Sequence, residues 1–391
     1  MRGFFDSSIV HKHTPESLFP KCSACGLFQH CESPKMAPYG KGRKDVLVVG
    51  EAPGATEDSQ GRPFIGKAGQ FLRDVLYDID VDLDRDAITT NAIICRPAGN
   101  RTPEAKEILY CRPNLRATIE KFQPRVVVTL GRVALASVLE GIWKDDVGPL
   151  ERWVGWRIPY ADYWICPTYH PSFLLRSKNK LMDRLFQQHL QSAFSIEANS
   201  AELPDVEAQV EVLYDDKEIA RRIEALDGYY DVVVDYETNC AKPELPNAQL
   251  HSCALFAGNK AISFPWLPRT KLAMGNLLRD SRVGKIAHNL KFEERWTLKE
   301  FGHGVAGWKW DSMLAAHCLD NRTGICSLKF QSLVRLGVPS YNEHIAPYLE
   351  SHRGPYNRIG EINPDQLLRY GGMDVILEHR LAKLQRKDMG I

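Results

Sequence analysis

Short apolar runs alternate with helical segments over the first half of the chain. Residues 45–50 (DVLVVG) and 125–130 (RVVVTL) predict buried strands, because each run is rich in β-branched residues and ends in or leads into a glycine. Residues 68–79, 103–121 and 172–194 carry apolar positions at helical spacing. Strands that alternate with helices predict a mainly parallel sheet, with ligand sites at the carboxyl ends of its strands.

A second α/β pattern follows a segment that is poor in apolar residues. Residues 198–210 are small, polar and acidic, which predicts a linker. A new strand is predicted in YDVVVDYET, residues 230–238. Because 391 residues are too many for one ordinary hydrophobic core, we predict two α/β/α domains, at 18–197 and 211–391.

The composition is that of a globular protein, with 44% hydrophobic and 25% charged residues. No apolar run has the length of a membrane span, and the N-terminus lacks the apolar core of a signal peptide. We therefore expect an intracellular, cytoplasmic protein with no membrane partner. The net charge of +1 gives no global basic field, but binding to nucleic acid requires only a local basic surface.

Four cysteines of the first domain form a candidate metal site. Cys22 and Cys25 make a C-x-x-C pair, and Cys95 and Cys111 follow singly. Thiolates are soft ligands that suit zinc or iron–sulfur clusters, whereas a zinc ribbon would usually repeat the C-x-x-C pair. Spacing alone leaves buried structural cysteines as the alternative, and Cys31 could replace one of the four as a ligand.

The motifs around these cysteines point to a family. They are GEAPG at 50–54, GRPFIGKAGQFL at 61–72, TTNAIICRP at 89–97 and YHPSFLLR at 169–176. In this order, and with the four cysteines, they resemble the iron–sulfur uracil-DNA glycosylases of family four over residues 18–194. The resemblance implies a uracil-glycosylase-like fold, excision of uracil from DNA, and a 4Fe–4S cluster with a folding role. The implied cluster ligands are Cys22, Cys25, Cys95 and Cys111.

The residues of these motifs suit a pocket for an extruded base. Phe64 offers a stacking face, and the Asn91 carboxamide can match uracil N3–H and O4. His170 can stabilise the charge that builds on uracil O2, and Leu174 and Leu175 could wedge into the base stack. The predicted uracil pocket comprises Gly50, Glu51, Ala52, Gly54, Glu57, Phe64, Asn91 and His170, with His170 and Asn91 as catalytic residues.

One position of the pocket departs from the wider superfamily. Other uracil glycosylases carry an aspartate that activates water at the position of Ala52. The family-four pattern also lacks that acid. Catalysis is therefore expected to depend on stabilising the departing uracil anion, with the water-activating group unassigned.

Carboxylates of the second half form a candidate site for divalent cations. Asp235 and Glu237 are two apart on a predicted strand and therefore share a face. Tyr370 and Asp374 are four apart on a predicted helix and share a face of it. Together with Glu293, these acids suit two Mg²⁺ or Mn²⁺ ions about 3.5–4 Å apart, and Tyr370 could orient the attacking water.

The second half also resembles a family of nucleases. The motifs D-x-E, HN-x-K-F, WDSMLAAH at 310–317 and Y-x-x-x-D occur in the order of the tyrosine-bearing DEDD exonuclease domains that proofread for family A DNA polymerases. The resemblance covers residues 230–388 and implies a ribonuclease H-like fold with a mixed sheet and 3′–5′ degradation of DNA. The third acid of the family is usually aspartate and is Glu293 here, while Asp311 is expected to be structural.

Together the two halves predict an enzyme that excises uracil from DNA and degrades DNA from its 3′ end. Two alternatives stand beside it: a DNA-binding protein with only one active module, and a replication accessory protein that lends proofreading to a separate DNA polymerase. Only 17 residues follow Asp374, so no polymerase module is expected after it. DNA, single- or double-stranded, is the expected partner.

Overall fold

A computed structural model of the chain describes residues 20–200, 205–226, 229–351 and 354–391. The predicted domain start at residue 18, the N-terminal segment before it and residues 201–204 of the predicted linker lie outside the described residues. The described residues up to Ser200 form one compact unit, and those from Asp205 onward form a second. Among the described helices, none is both long enough and apolar enough to cross a membrane.

The N-terminal unit contains the mainly parallel sheet that the sequence predicts. Its strands are β1 Val46–Gly50, β2 Ala87–Asn91, β3 Val126–Leu130, β4 Ile158–Tyr160 and β5 Tyr163–Thr168. Their order is β2-β1-β3-β5-β4, with β4 antiparallel to β5 and the other pairs parallel. Because β1, β2 and β5 run in the same direction, Gly50, Asn91 and Thr168 all lie at one edge of the sheet.

The α-helices of this unit alternate with the strands along the chain. In chain order they are α1 Cys22–Cys25, α2 Ala55–Gln60, α3 Lys67–Tyr77, α4 Leu83–Asp86, α5 Ala105–Phe122, α6 Arg132–Leu139, α7 Pro171–Ser177 and α8 Lys180–Phe194. The prediction of continuous helix over 172–194 is wrong, because two helices, α7 and α8, occupy this range and the helical conformation is interrupted between them. Lys178 has a left-handed φ of 50°, and the Asn179 side chain caps α8 by accepting hydrogen bonds from the amides of Leu181 and Met182.

The core of the N-terminal unit explains why its strands are apolar throughout. Every residue of β1 and β3 is buried, as expected for parallel strands covered on both faces. Leu72 and Leu76 of α3 pack in the same hydrophobic cluster as Phe186 and Leu190 of α8. Leu174 of α7 belongs to the same cluster, so α3 and α7 both pack on the sheet, and Phe64 and His170 lie just before these two helices.

The second unit has a mixed sheet, as predicted. Its strands are β6 Val210–Val212, β7 Val232–Thr238, β8 Leu250–Ala257, β9 Lys260–Pro265, β10 Lys285–Ala287 and β11 Trp308–Asp311. Their order is β11-β10-β7-β8-β9-β6. Strands β7, β8 and β9 form an antiparallel meander, and β10 and β11 run parallel to β7 beyond it. Within the range predicted as linker, Val206 and Val210 are buried in the core of this unit.

A long C-terminal helix lies across this sheet. The helices of the unit are α9 Asp216–Glu224, α10 Pro268–Arg279, α11 Leu290–Phe301, α12 Ser312–Leu319, α13 Leu328–Leu336, α14 Ala346–Leu349 and α15 Pro364–Met389. One glycine lets α15 approach the sheet closely, because a β-carbon at Gly372 would lie 2.3 Å from Cγ1 of Val210 on β6. The same helix also packs on β7 and carries Tyr370 and Asp374.

Candidate active sites

A cleft of about 660 Å³ opens at the carboxyl ends of the N-terminal strands. Seven of the eight predicted pocket residues line it, namely Glu51, Ala52, Gly54, Glu57, Phe64, Asn91 and His170. The eighth, Gly50, lies beneath two of them. A β-carbon at Gly50 would be 2.4 Å from Asn91 Oδ1 and 2.7 Å from Phe64 Cζ. Only a residue without a side chain lets these two groups meet over the end of β1.

Phe64 is held in the cleft by an unusual backbone. It is 6% exposed and has a φ of 57°, a left-handed conformation that a bulky residue rarely adopts. Gly69 of α3 makes this possible, because a β-carbon there would lie 2.0 Å from the Phe64 carbonyl oxygen. The surrounding packing thus holds Phe64 in a strained backbone conformation, and this conformation places its ring in the cleft.

Glu57 lines the cleft with one carboxylate oxygen already engaged. Its Oε1 accepts a hydrogen bond of 2.8 Å from the amide of Gly66, the residue that precedes α3. β-Carbons at Gly54 and Gly66 would lie 2.7 and 2.9 Å from this carboxylate. Glu57 therefore joins α2 to the start of α3, and this contact shapes the cleft.

His170 follows β5 and caps the N-terminus of α7. Its Nδ1 accepts a hydrogen bond from the Ser172 amide at 3.2 Å and lies 2.7 Å from the Ser172 hydroxyl. Burial, with a smaller contribution from Arg176, lowers the pKa of the imidazole to about 4. The ring is therefore neutral at pH 7, and because Nδ1 is an acceptor, its proton lies on Nε2.

Charged groups surround the mouth of the cleft. The pKa of the Glu51 carboxyl is raised, because the effect of burial exceeds the opposite effect of the nearby Arg176 guanidinium. Four exposed cations, Lys67, Arg101, Arg132 and Arg176, also line the cleft. Two of these cations pair with acids, Arg101 with Glu107 at 2.5 Å and Arg132 with Asp146 at 2.8 Å, and three glutamates line the cleft as well, so the rim carries charges of both signs.

The two leucines predicted as a DNA wedge differ in exposure. Leu174 is 1% exposed and belongs to the hydrophobic core, so it cannot reach a DNA duplex. Leu175 is 41% exposed, and Phe173, which the sequence argument passed over, is 39% exposed and lines the cleft. Successive positions of α7 point in different directions, so the prediction is wrong for Leu174.

Four cysteines line a second, small cavity of the N-terminal unit. Cys22 and Cys25 on α1 meet Cys95 after β2 and Cys111 on α5. Backbone and side-chain N–H groups point at two of the sulfurs. The amide of Lys35 donates to Cys95 Sγ at 3.3 Å, and the amide of Ile94 and the Asn114 carboxamide each donate to Cys111 Sγ at 3.5 Å.

The environment of these thiols suits metal ligation. Burial, together with neighbouring thiols, raises the pKa of Cys95 to about 12, and burial also raises the pKa of Cys111. A bound cation would stabilise the thiolates that burial disfavours. Cys31 does not line the cavity, but its sulfur lies 3.2 Å from the Leu27 carbonyl oxygen and 3.6 Å from that of Arg96, and it also hydrogen-bonds Cys95.

Three acids of the second unit converge on one point. Asp235 and Glu237 of β7 and Asp374 of α15 each offer a carboxylate oxygen, and these oxygens lie within 4.8 Å of one another. Burial is the main cause that raises the pKa of all three acids, and mutual repulsion raises the pKa of Asp235 and Glu237 further. Lys329 of α13 lowers the pKa of each of them.

Tyr370 is held beside this cluster by two hydrogen bonds. Its hydroxyl accepts from Lys329 Nζ at 3.0 Å and also bonds to Asp374. A second tyrosine, Tyr341, donates a hydrogen bond to Asp374 Oδ1. Lys329 and Tyr341 were missed by the sequence argument. They lie 41 and 29 positions before Tyr370, so no local spacing connects them to the acidic motifs.

Glu293 and Asp311 differ in how far their carboxylate oxygens are hydrogen-bonded. Glu293 of α11 is 2% exposed, and its Oε2 has no hydrogen-bond partner among the described residues. Asp311 accepts from four backbone amides at 2.9–3.1 Å, those of Asn289, Leu290, Met313 and Leu314. It therefore fixes the starts of α11 and α12, which confirms that Asp311 is structural.

Comparison with known proteins gives a family match for the N-terminal unit and a more distant relative that extends beyond it. Residues 37–194 match the profile of the uracil DNA glycosylase superfamily. A type-4 uracil-DNA glycosylase of Thermotoga maritima is 35% identical over 181 residues, which cover 45% of this chain and 88% of that protein. A DNA polymerase of Bacillus phage SP01 is 24% identical over 77% of this chain and 35% of its own length.

The solved structures that are similar to the chain include nucleases. Escherichia coli RNase D, an exoribonuclease, is 17% identical, with a TM-score of 0.35 and coverage of 46% of both chains. A similarity of this size does not by itself assign an activity.

Proposed function

Because the chain belongs to the type-4 uracil-DNA glycosylase family, we propose that its N-terminal unit hydrolyses the N-glycosidic bond of deoxyuridine in DNA. The observation that carries this proposal is the meeting of Phe64, Asn91 and His170 in one cleft at the strand ends. Release of free uracil from an oligonucleotide, with no cytosine released from a matched strand, tests the assignment.

The proposed reaction uses three groups on the extruded base. Phe64 stacks on the ring, and the Asn91 carboxamide accepts from uracil N3–H and donates to O4, a pattern that the edge of cytosine does not offer. His170, neutral with its proton on Nε2, donates to uracil O2 as negative charge develops there. The bond between C1′ and N1 breaks, uracil leaves as a stabilised anion, and water adds to the sugar.

The rim of the cleft is proposed to hold the DNA strand. Lys67, Arg101, Arg132 and Arg176 are placed to bind phosphates on either side of the extruded nucleotide. Leu175, with its exposed apolar side chain, keeps the role of a wedge between stacked bases. Phe173 lines the cleft beside it and extends the apolar surface.

We also propose that Cys22, Cys25, Cys95 and Cys111 hold a 4Fe–4S cluster. The four cysteines line one small cavity, and their spacing does not repeat the C-x-x-C pair that a zinc ribbon would usually carry. Such a cluster would join α1, the loop after β2 and α5, and its role would be to stabilise the fold.

Substituting Cys111 with alanine is expected to remove most of the bound iron and the absorbance near 400 nm. The physical reason is the loss of a thiolate ligand that two N–H groups also orient. Cys166→Ala is the matched control, because Cys166 is a buried cysteine of β5 that does not line the cavity, and this variant should retain its iron. Equal iron content in the two variants would contradict the ligand assignment.

A second activity is favoured by the carboxylate cluster of the other unit. We propose that Asp235, Glu237, Glu293 and Asp374 bind two Mg²⁺ or Mn²⁺ ions and that this unit degrades DNA from its 3′ end. Buried carboxylate oxygens gathered within 4.8 Å are hard ligands that suit these ions. Bound there, the ions would neutralise charge on the phosphate that is attacked. Tyr370, fixed by Lys329 and Asp374, orients the attacking water.

The phage DNA polymerase relative favours a role in DNA replication. Its similarity spans 77% of this chain, so it extends over more than the glycosylase half. We propose that the second unit acts on the 3′ ends of DNA beside a separate polymerase. Co-purification of the chain with the polymerase of its host or phage tests this partnership.

A further inference from the structure

A buried acid next to the carboxylate cluster has no role in the site as described so far. Glu378 of α15 is 1% exposed, and its Oε1 has no hydrogen-bond partner among the described residues. Its position, four residues after Asp374, puts it on the helix face that also carries Tyr370 and Asp374. A buried carboxylate oxygen without a partner is strongly unfavourable unless a cation or a proton compensates it.

Four acids lie close enough to Glu378 to act on its charge. They are Asp235, Glu293, Asp374 and Asp311, and each of them, like burial itself, raises the pKa of Glu378. Two of these acids share its condition, because Glu293 Oε2 and Asp235 Oδ2 also lack hydrogen-bond partners within the described chain. Three unpartnered oxygens thus come from three different elements, β7, α11 and α15.

We propose that Glu378 is a fifth metal-binding carboxylate, which together with Glu293 and Asp235 holds the second divalent cation. This inference rests on the proposed nuclease function. Asp235, Glu237 and Asp374 would hold the first cation, and Asp235 would be shared. The oxygens of Glu293 and Glu378 are not part of that close group, so water is expected to complete the second site, as is common for Mg²⁺.

The charges of the site support this assignment. Burial and neighbouring acids raise the pKa of Asp235, Glu293 and Glu378, so without metal these acids favour their protonated forms. Two divalent cations and the Lys329 ammonium would supply the five positive charges that five ionised carboxylates require. The longer side chain at position 293 and the additional acid at 378 are then two parts of one binding site.

Binding of Mn²⁺ to the full-length protein tests the inference without measuring activity. Wild type is expected to bind two Mn²⁺ ions that Asp235→Asn does not bind. Glu378→Gln keeps the volume of the side chain but loses its charge, so it should retain one ion and bind the second at least about tenfold more weakly. Glu207→Gln is the matched control, since Glu207 is a buried acid of the same unit that pairs with Arg369.

Thermal unfolding separates a ligand from a structural acid. Without metal, Glu378→Gln should unfold at the wild-type temperature or higher, because the amide keeps the volume of the side chain and removes the cost of a buried acid among other acids. With Mn²⁺, its unfolding temperature should rise less than that of wild type. If the glutamine variant does not fold, Glu378→Asp replaces it in the experiment. This variant keeps the charge on a shorter side chain and should bind the second Mn²⁺ ion more weakly than wild type.

Two results would overturn the inference, and they can be told apart. Binding of both ions with wild-type affinity by Glu378→Gln, or by Glu378→Asp where that variant is used, would show that Glu378 is not a ligand. Equal Mn²⁺ binding by wild type and Asp235→Asn would remove the proposed nuclease site itself, and the role of Glu378 with it.

Discussion

Asp235→Asn is expected to reduce degradation of single-stranded DNA from the 3′ end by at least about a thousandfold, or about 4 kcal/mol of transition-state stabilisation. Asp235 lies within 4.8 Å of the carboxylates of both Glu237 and Asp374 and also faces Glu293. The amide would keep the size of the side chain and remove the charge that two cations would share. The measurement is the shortening of a 5′-labelled strand with Mg²⁺ or Mn²⁺.

A control from the same segment isolates the effect of the site. Asp231 directly precedes β7 and pairs with Arg386 at 2.7 Å, and no acid of the cluster is its partner. Asp231→Asn should therefore retain nuclease activity, while both variants should release uracil as wild type does. Retention of more than about a tenth of the activity by Asp235→Asn would contradict the metal-ligand assignment.

His170→Ala is expected to lower kcat/KM for uracil release by more than about tenfold, or about 1.4 kcal/mol. The lost group is a neutral N–H donor that is oriented by two contacts with Ser172. Because the pKa of His170 is lowered to about 4, its ring stays neutral as the pH falls from 8 to 6. The reduction should therefore be the same across that range.

The pH profile distinguishes this role from that of a cationic acid. A histidine that acted as an imidazolium would make the loss in His170→Ala grow as the pH fell through about 6.5. Such a trend would contradict the proposed neutral donor. His317→Ala, at an exposed position of the other unit, is the control and should leave uracil release unchanged at every pH.

The sequence predicted the elements that carry continuous patterns. Strands β1, β3 and β7 are runs of β-branched residues, and their burial requires such runs. The convergence of Asp235, Glu237 and Asp374 was also predicted, since strand alternation and helical spacing fix which side chains share a face. Local geometry of this kind can be inferred from the chain alone.

Contacts between distant segments could not be predicted in this way. Lys329 reaches Tyr370, and Glu378 faces Glu293, only because α13, α11 and α15 pack around β7. The break at Lys178 was missed because apolar spacing continues through it. The burial of Leu174 depends on the direction in which the short helix α7 crosses the sheet, and the sequence does not give that direction.

Uracil release in the presence of EDTA tests the central claim most directly. Full-length protein would be incubated with a 5′-labelled strand that carries one uracil, single-stranded or paired, with EDTA or with Mn²⁺. We expect free uracil in both conditions, because stabilisation of the departing anion by His170 and Asn91 requires no divalent metal. Shortening from the 3′ end should occur only with Mn²⁺. Absence of free uracil from both substrates, with and without metal, would contradict the account.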